Sequence, residues 1–463
     1  MKENEQDLNT KPLSWKQYLI VASLLFGLFF GAGNLIFPIH LGQLSGANWG
    51  MATFGFLVTA VLLPLLAVLA ISASHAKGVY DIGTPLGNKF ALVFMVLIHL
   101  TLGPLFATPR TASISFSVGL QPVLPKAAAK PALLIFSAIF FILAFIISYE
   151  QSTILDSIGR ILNPLFLLLL FSVFLLAAIS PMGAAKDQTV TAAYQSASFF
   201  NGFLEGYNTM DALAGLAFGY TIVSAVRQLG KTSAKSNAKV TARAGVLATG
   251  AIGIIYIGLI WLGATTLNHF KISQEGGTVF NQIVTYYLGD FGHALLATLV
   301  TLTCLTTAVG LIAAFAQDFH RSFNKISYHG WLTIMTIVSF ITANFGLDTI
   351  ISWSTPMLMF LYPIAMVLII LSISGSLFDR DAIVYFCGIL FTIVPAILDM
   401  IASFPPIISH QSWALQLKAF QLKFLPFADI GMDWVIPAVI GLVIGLIIHF
   451  MKKQGAKANI NIF

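Results

Sequence analysis

The groups best suited to chemistry in this sequence are backbone atoms at a break in the apolar segment 18–44. Gly31 and Gly33 each disfavour a helix by about 1 kcal/mol relative to alanine, and Pro38 lacks a backbone N–H. In a bilayer every N–H and C=O needs a partner, so a break is tolerated where it faces a cavity, a helix or a ligand. The break therefore predicts a ligand site. The alternative is that the glycines only permit close helix packing.

A second apolar segment, 195–226, contains a similar concentration of glycine and polar residues. A broken helix ends in free carbonyls and restarts with free N–H groups, so it can bind a cation beside an anion. Two antiparallel breaks suit an amino-acid zwitterion. The predicted carboxylate ligands are Ala32, Gly33 and Asn34, with Gly31 beside them, and the predicted ammonium ligands are Gly206, Tyr207, Asn208 and Thr209.

Ionisable residues inside apolar segments are functional candidates, because a charge in a bilayer is costly. Arg110 either binds substrate or lies near the outer interface and extends towards water. Glu205 is predicted to pair with Arg110. Asp211 is a coupling candidate, or it caps the second half of its broken helix. Together with Pro38, Glu205 and Asp211 form the set of coupling or gating candidates.

Threonines are concentrated in the segment 292–318, where Thr306 and Thr307 are adjacent. Their hydroxyl oxygens suit a hard cation, although membrane threonines more often bond to their own backbone or to a neighbouring helix. The nine histidines show no metal-ligand spacing, so no zinc or metalloprotease site is predicted.

The composition places these residues in a polytopic, all-α membrane protein. The chain of 463 residues is 57% hydrophobic and 9% charged, with a mean hydropathy of +0.88, whereas soluble proteins carry about 25% charged residues. A net charge of +6 would suit nucleic acid. Basic cytoplasmic loops are its commoner source in a membrane protein, so no nucleic-acid partner is predicted. The two cysteines lie in apolar segments and predict no disulfide framework. The N-terminus shows no cleaved signal peptide.

Twelve apolar segments, numbered here as spans 1–12, are each near the length that crosses a bilayer. With the N-terminus inside, 17 of the 24 lysines and arginines fall in inner segments and 6 in outer ones, and Arg110 lies within a span. This asymmetry predicts that both termini are cytoplasmic. The spans are 18–44, 50–73, 90–120, 132–149, 161–180, 195–226, 241–265, 292–318, 330–346, 350–374, 382–402 and 433–451. Span 3 contains two prolines and is expected to be kinked.

The two breaks lie in spans 1 and 6. Because these spans are five apart, they cross the membrane in opposite directions. This predicts a five-plus-five inverted repeat, 18–180 against 195–374, with accessory spans at 382–451 and cytoplasmic termini at 1–17 and 452–463. Matched broken helices in two halves are typical of a transporter's binding site.

Four motifs resemble the bacterial branched-chain amino acid:cation symporters. They are Gly31–Pro38, Gly103–Thr111, Asn201–Asp211 and Thr306–Leu311. The resemblance runs from about residue 18 to 451. It implies uptake of leucine, isoleucine and valine driven by sodium, or by protons in some members, across the bacterial cytoplasmic membrane. It also implies the five-plus-five fold of the amino acid–polyamine–cation superfamily.

The more distant neurotransmitter:sodium symporters share the Gly-x-Gly-Asn run in span 1. That likeness implies that the Ala32 and Gly33 amides bind the substrate carboxylate, and that Asn34 contacts a second ion. It also implies a sodium site between spans 1 and 8, formed by the Gly27 and Phe30 carbonyls and the Thr306 and Thr307 hydroxyls. This sequence has one residue fewer between Asn34 and Pro38 than that pattern.

The sequence is therefore interpreted as a symporter that works by alternating access, in which spans 1, 2, 6 and 7 rock against the remaining helices. Its expected ligands are a branched-chain amino acid and Na⁺, with H⁺ or a broader range of neutral amino acids as the alternative, and no other cofactor. A membrane enzyme would need a catalytic or metal cluster, and none is evident in the sequence. A channel would normally build its filter by oligomeric symmetry.

Overall fold

The computed structural model describes residues 13–31, 33–149 and 154–460, with side chains except at 154–163, 234 and 455–460. Throughout these residues the regular secondary structure is helical. The α-helices are α1 (Trp15–Phe29), α2 (Gly33–Ser45), α3 (Trp49–Leu57), α4 (Leu63–Ser74), α5 (Val79–Gly83), α6 (Asn88–Leu100), α7 (Ala107–Gly119), α8 (Ala129–Tyr149), α9 (Ile154–Ile179), α10 (Ala192–Ser196), α11 (Ser198–Glu205), α12 (Asp211–Gln228), α13 (Ala234–Thr265), α14 (Gly276–Ser322), α15 (Tyr328–Ala343), α16 (Leu347–Ser374), α17 (Ala382–Ser403), α18 (Pro406–Ser409), α19 (Ser412–Phe424) and α20 (Val435–Ile460).

The helices are apolar over lengths that suit a bilayer. Within the described residues, eight helical segments are long and apolar enough to cross a membrane, or nine if the bent pair Ser198–Thr209 and Asp211–Gln228 forms one span. Three shorter apolar helices are Trp15–Phe29, Pro164–Ile179 and Tyr328–Ala343. Each predicted span coincides with helix, while the count of twelve crossings and the division into two repeats stay predictions.

The structure confirms a break in each of the two predicted spans. α1 ends at Phe29, and α2 begins at Gly33; Ala32 lies outside the described residues. In span 6, α11 continues into a 3₁₀ turn, Gly206–Thr209, and Met210 then adopts the left-handed region at φ 61°. The two halves of span 6 meet at a bend of 43°. Pro38 lies buried inside α2, after the break.

Span 3 is kinked, as its sequence predicts. Thr101–Leu105 forms a π-helical turn between α6 and α7, and Gly103 has non-helical dihedral angles, φ −93° and ψ −123°. Pro104 cannot donate to the helical ladder, which is the local cause of the interruption. α7 therefore starts a new helical segment that carries Arg110.

α2 is fixed by a very close approach to α13. A Cβ atom added to Gly263 would lie 2.0 Å from the carbonyl oxygen of Ile39, so the two backbones are in direct contact. Gly250, on the same helix, faces open space. The pair α2 and α13 therefore depends on a small residue at 263, which is a common device in membrane helix packing.

Two regions differ from the sequence prediction. α14 starts at Gly276, well before residue 292, and bends at Gly289, where φ is 63° and glycine avoids the strain of a side chain. The connection between spans 11 and 12, predicted as a loop, contains α18 and α19. These loop helices mix polar and apolar residues, so they lack the continuous hydropathy by which a spanning helix is recognised.

Candidate functional site

A cavity of about 90 Å³ lies between the breaks of spans 1 and 6. One buried water needs roughly 10–15 Å³, so this space can hold a small solute. The residues of the predicted site that line it are Gly31, Gly33, Asn34, Arg110, Asn208, Thr209, Asp211 and Thr307. The structure thus brings together residues from spans 1, 3, 6 and 8.

A hydrogen-bonded network joins the two breaks. The Asn34 side-chain amide donates to the Asp211 carboxylate at 2.7 Å, and the Gly31 N–H donates to Asn34 Oδ1 at 3.0 Å. The Tyr256 hydroxyl, from α13, contacts Asn34 and donates to Asp211 Oδ2 at 3.2 Å. Asn34, Tyr256 and Asp211 are each at most 4% exposed. Polar groups buried this deeply are stable because they satisfy one another.

Asp211 does not cap its helix. It is the first residue of α12, the N-cap position is occupied by Met210, and no side chain in that position makes a capping bond. The alternative interpretation of Asp211 as an N-cap is therefore wrong. The cause is the positive φ of Met210, which places the carboxylate towards Asn34 and Tyr256 instead of its own helix terminus.

Arg110 points into the protein interior and not towards the outer interface. Its side chain is 4% exposed and lines the cavity, so the interfacial interpretation is wrong. Nη1 donates to the Asn208 carbonyl at 3.0 Å and Nη2 bonds to the Ser354 hydroxyl. The guanidinium also lies 5.2 Å from the centre of the Phe37 ring, a favourable cation–π distance.

The predicted ion pair between Arg110 and Glu205 is not found among the described residues, because the terminal guanidinium nitrogens bond to Asn208 and Ser354. Glu205 instead lines a separate cavity of about 320 Å³, together with His40 and Glu275. Asn208 borders both cavities. In the described part of the chain, Arg110 Nε is buried without a hydrogen-bond partner, which leaves one strong donor free beside the central cavity.

Gly206 and Tyr207 lie in the second break, outside the lining of the central cavity. A Cβ atom on Gly206 would lie 2.1 Å from Thr59 Oγ1, so this glycine allows span 2 to approach the break. The Tyr207 ring stacks on Tyr362 of α16, with centroids 4.1 Å apart and planes at 10°. Both residues therefore support the break through packing against neighbouring helices, on the side away from the central cavity.

The predicted sodium ligands lie close to the first break. Thr306 and Thr307 donate to the Thr303 carbonyl at 2.8 and 3.0 Å, so both hydroxyl oxygens keep lone pairs. Thr307 lines the cavity, and its methyl group lies 3.9 Å from the position of a Cβ on Gly31. Thr306 is outside the cavity lining.

Gly27 and Phe30 belong to the end of the first half of span 1. The Phe30 N–H donates to the Phe26 carbonyl at 2.8 Å, and the helix ends there because Phe30 is extended at ψ 96°. Carbonyls in a last helical turn lack helical partners. Neither Gly27 nor Phe30 borders the central cavity, although their neighbours Leu28, Phe29 and Gly31 do.

Sequence analysis missed Tyr256 and Ser354, which hold Asp211 and Arg110. Tyr256 stands alone in an apolar stretch, and Ser354 lies beside Ser352 and Thr355, but neither belongs to a motif that indicates a site. It also missed a cavity of about 640 Å³ lined by Lys77, Asp81 and Arg321, where His99 Nε2 lies 2.8 Å from Asp318 Oδ2. That cavity contains none of the predicted site residues.

Comparisons with known proteins place these features in context. Residues 14–452 match the family model described as "Branched-chain amino acid transport protein". The chain is 37% identical over 449 residues to the branched-chain amino acid permease BrnQ of Lactobacillus delbrueckii subsp. lactis, covering 96% of this chain and 99% of the relative. It is 38% identical over 447 residues to the branched-chain amino acid permease BraB of Bacillus subtilis, covering 96% and 98%.

Two solved structures share the fold at low sequence identity. The inward-facing conformation of Mhp1 matches with a TM-score of 0.54 and 12% identity, covering 95% of this chain and 91% of that one. MhsT in complex with L-phenylalanine matches with a TM-score of 0.53 and 15% identity, covering 94% and 98%.

Proposed function

This chain belongs to the branched-chain amino acid transport protein family, and from that premise we propose that it imports leucine, isoleucine and valine together with Na⁺. It is a multi-pass membrane protein of a transport family, and not an enzyme. The proposed setting is the bacterial cytoplasmic membrane, with twelve spans, both termini inside and a five-plus-five repeat. The 17-to-6 distribution of basic residues supports that orientation.

The observation that carries the proposal is the pairing of opposite charges in one cavity. Arg110 and Asp211 both line it, and both are buried. An amino-acid zwitterion carries the complementary charges, so it can face both groups without bringing a net charge into the protein interior. The Gly33 amide at the start of α2 adds partial positive charge on the carboxylate side, whereas the Asn34 N–H already donates to the Gly31 carbonyl at 3.2 Å.

Arg110 is the proposed side-chain ligand of the substrate carboxylate. Its Nε has no partner among the described residues, and guanidinium groups bind carboxylates through strong, directional hydrogen bonds. The ammonium group is assigned to the side of the second break, where Asn208, Thr209 and Asp211 line the cavity. Ala32, outside the described residues, remains a proposed carboxylate ligand on the basis of the break in the sequence and of the resemblance.

Apart from Thr111, the remainder of the lining is apolar and fits an aliphatic side chain. It includes Leu28, Leu102, Ile114, Met210 and Leu311. Burying a leucine or valine side chain contributes about 1.5–3 kcal/mol, which supports a preference for branched-chain substrates. A broader neutral amino acid range is the alternative, because an apolar wall discriminates weakly between aliphatic side chains.

Na⁺ is assigned to the hydroxyl oxygens of Thr306 and Thr307 with the carbonyls of Gly27 and Phe30. All are oxygen donors, which hard cations prefer. Thr307 borders the substrate cavity, so an ion beside it would bias the conformation that receives substrate, as coupling requires. A proton is the alternative coupling ion, and the buried Asp211 carboxyl is the group that could carry it.

Alternating access follows from the two breaks. Each half of spans 1 and 6 can change its angle at Gly31 or Met210 without distorting the other half. Spans 1, 2, 6 and 7 are the proposed moving bundle. The Asn34–Asp211 hydrogen bond keeps the two broken helices together while they move.

Uptake of labelled leucine into proteoliposomes tests this function. A tenfold inward Na⁺ gradient stores about 1.4 kcal/mol per ion, so one ion per leucine supports roughly tenfold accumulation. Replacing Na⁺ by potassium or choline at constant pH should abolish accumulation. Accumulation driven equally well by a pH gradient without Na⁺ would select the proton alternative, and equilibration without accumulation under every gradient would refute the symporter.

A further inference from the structure

Two aspartates are buried side by side at the outer end of the last two apolar helices. Asp399 lies in α17 and is 4% exposed, while Asp433 precedes α20 and is fully buried. Gln421 of α19 bridges them, since its Nε2 donates to Asp399 at 2.6 Å and to Asp433 at 2.9 Å. Because both bonds converge on one nitrogen atom, the two carboxyl groups are close neighbours.

The hydrogen bonds of this cluster are incomplete. The amide of Gln421 uses one oxygen of each carboxyl, and the other two oxygens, Asp399 Oδ2 and Asp433 Oδ1, are buried with no partner among the described residues. Two carboxylates at this separation in a low-dielectric interior repel strongly and do not both ionise. One proton supplies the missing donor and removes the repulsion.

We propose that Asp399 and Asp433 form a proton-binding site, in which the pair holds one proton between two carboxyl groups bridged by Gln421. The proton stays on oxygen and is released to water when the pair ionises fully, so no other reactant is needed. The pair titrates as one unit, because neither carboxyl can change its charge independently of the other.

The chemistry around the pair favours a proton over a metal ion. The bridging group is an N–H donor, which repels a cation. Ca²⁺ takes six to eight oxygen ligands, whereas no group of three or more His, Cys, Asp or Glu residues suited to a metal occurs in the described ranges. A single shared proton fits a pair that already has donors on one side.

A buried hydroxyl of the second break lies in the same part of the core as this pair. Tyr207, in the 3₁₀ turn of span 6, belongs to one buried cluster with Trp434, the residue after Asp433, and its hydroxyl has no partner in the described part of the chain. The connection between α19 and α20, which carries Asp433, also contacts span 6, because a Cβ on Gly431 would lie 3.0 Å from Leu204. A change in the charge of the pair can therefore affect the packing of the outer half of span 6.

Few other ionisable groups lie close enough to the pair to interact with its charge. On α19, Lys418 and Lys423 are exposed, and so are Asp429 in the following turn and His410 in the preceding loop. Gln421 bonds to both carboxyl groups, and Tyr207 is a titratable group of the core cluster that also contains Trp434, the neighbour of Asp433. No lysine or arginine among the described residues neutralises the two carboxyls.

The stability of the purified full-length protein as a function of pH tests the site directly. A proton held in the folded state and absent in the unfolded chain makes the folded state less stable as pH rises, by about tenfold in the folding equilibrium per pH unit for as long as the folded state holds it, and the loss levels off once the proton is released. The melting temperature of the wild type should therefore fall between about pH 7 and pH 9.5, below the lysine titration. Asp399→Asn and Asp433→Asn should each flatten this fall.

The controls decide every outcome. Asp429→Asn removes an exposed carboxylate from the same loop and should keep the wild-type slope. Identical slopes in the wild type and in both pair variants would overturn the proposal. Failure of both pair variants to fold would overturn it as well, because an amide matches a protonated carboxyl in size and charge.

Transport supplies a second readout, which rests on the proposed function. Sodium-driven leucine uptake by the wild type should decline severalfold at alkaline pH, and Asp399→Asn should retain its neutral-pH rate there. Wild-type protein that takes up no leucine at any pH would count against the proposed function alone, since the stability slopes would still report the proton. Uptake with an alkaline decline that is unchanged in Asp399→Asn would count against the proton site alone.

Discussion

Replacing Arg110 by glutamine separates a substrate ligand from a structural support. The change removes the positive charge and keeps a hydrogen-bonding side chain of shorter reach. If Arg110 binds the substrate carboxylate, Arg110→Gln should weaken the binding of leucine more than the binding of a substrate analogue that lacks this charge. Leucinamide is such an analogue, because it keeps the side chain and ammonium group and replaces the carboxylate with a neutral amide.

The magnitude follows from the partners of Arg110. A hydrogen bond to a charged group contributes about 1.5–3 kcal/mol, and each 1.4 kcal/mol is about tenfold in affinity. The KM for leucine uptake should therefore rise roughly tenfold to a hundredfold. Inhibition by leucinamide should weaken less, by about twofold to tenfold, because a neutral hydrogen bond contributes about 0.5–1.5 kcal/mol. The leucine-to-leucinamide preference should collapse accordingly.

Ser354→Ala provides the matched control. It removes the hydroxyl that contacts Arg110 Nη2 and keeps the guanidinium. The binding of leucine and of leucinamide should therefore weaken by the same small factor. The assay is sodium-driven uptake in proteoliposomes at equal amounts of folded protein, with leucinamide as competitor. Arg110→Gln that weakens both compounds equally would show that Arg110 only supports the Asn208 carbonyl and Ser354.

Three further predictions concern other parts of the site and its packing. Thr307→Ala should raise the sodium concentration for half-maximal uptake about tenfold through loss of a ligand, whereas Thr298→Ala, an exposed threonine with the same backbone bond on α14, should not; equal sodium curves would exclude Thr307 from the ion site. Gly263→Ala places a Cβ 2.0 Å from an α2 carbonyl and should cost about 1–3 kcal/mol of stability, measured as melting temperature, while Gly250→Ala on the same helix faces open space and should be neutral or stabilising. Tyr256→Phe removes a hydroxyl that donates to the Asp211 carboxylate and should slow uptake by up to about tenfold at unchanged protein level; wild-type uptake would show that this hydroxyl is dispensable.

The breaks were predictable because they violate a strong constraint. Gly31, Gly33 and Gly206 sit where an uninterrupted apolar helix would otherwise be the stable solution in lipid. The kink of span 3 was predictable from Pro104 for the same reason. Met210, the residue that takes the left-handed conformation in span 6, was not predictable, because a non-glycine residue adopts it only when its surroundings impose it.

The helices outside the spans were not predicted from the sequence. The first part of α14, from Gly276 to the bend at Gly289, and the helix α19 contain enough polar residues to read as loops. Their helical state depends on packing against the ends of the spans, where Phe280 and Gln421 are buried. Hydropathy alone carries no information about that contact.

Composition and local motifs are enough to predict an α-helical membrane protein, the positions of its two helix breaks and its family. The partners of the charged groups depend on the tertiary packing. Asn34 meets Asp211 across 177 residues of chain, and Arg110 meets Ser354 across 244. Such contacts depend on how separate helices pack, and a short motif in one helix does not encode which residue of another will face it.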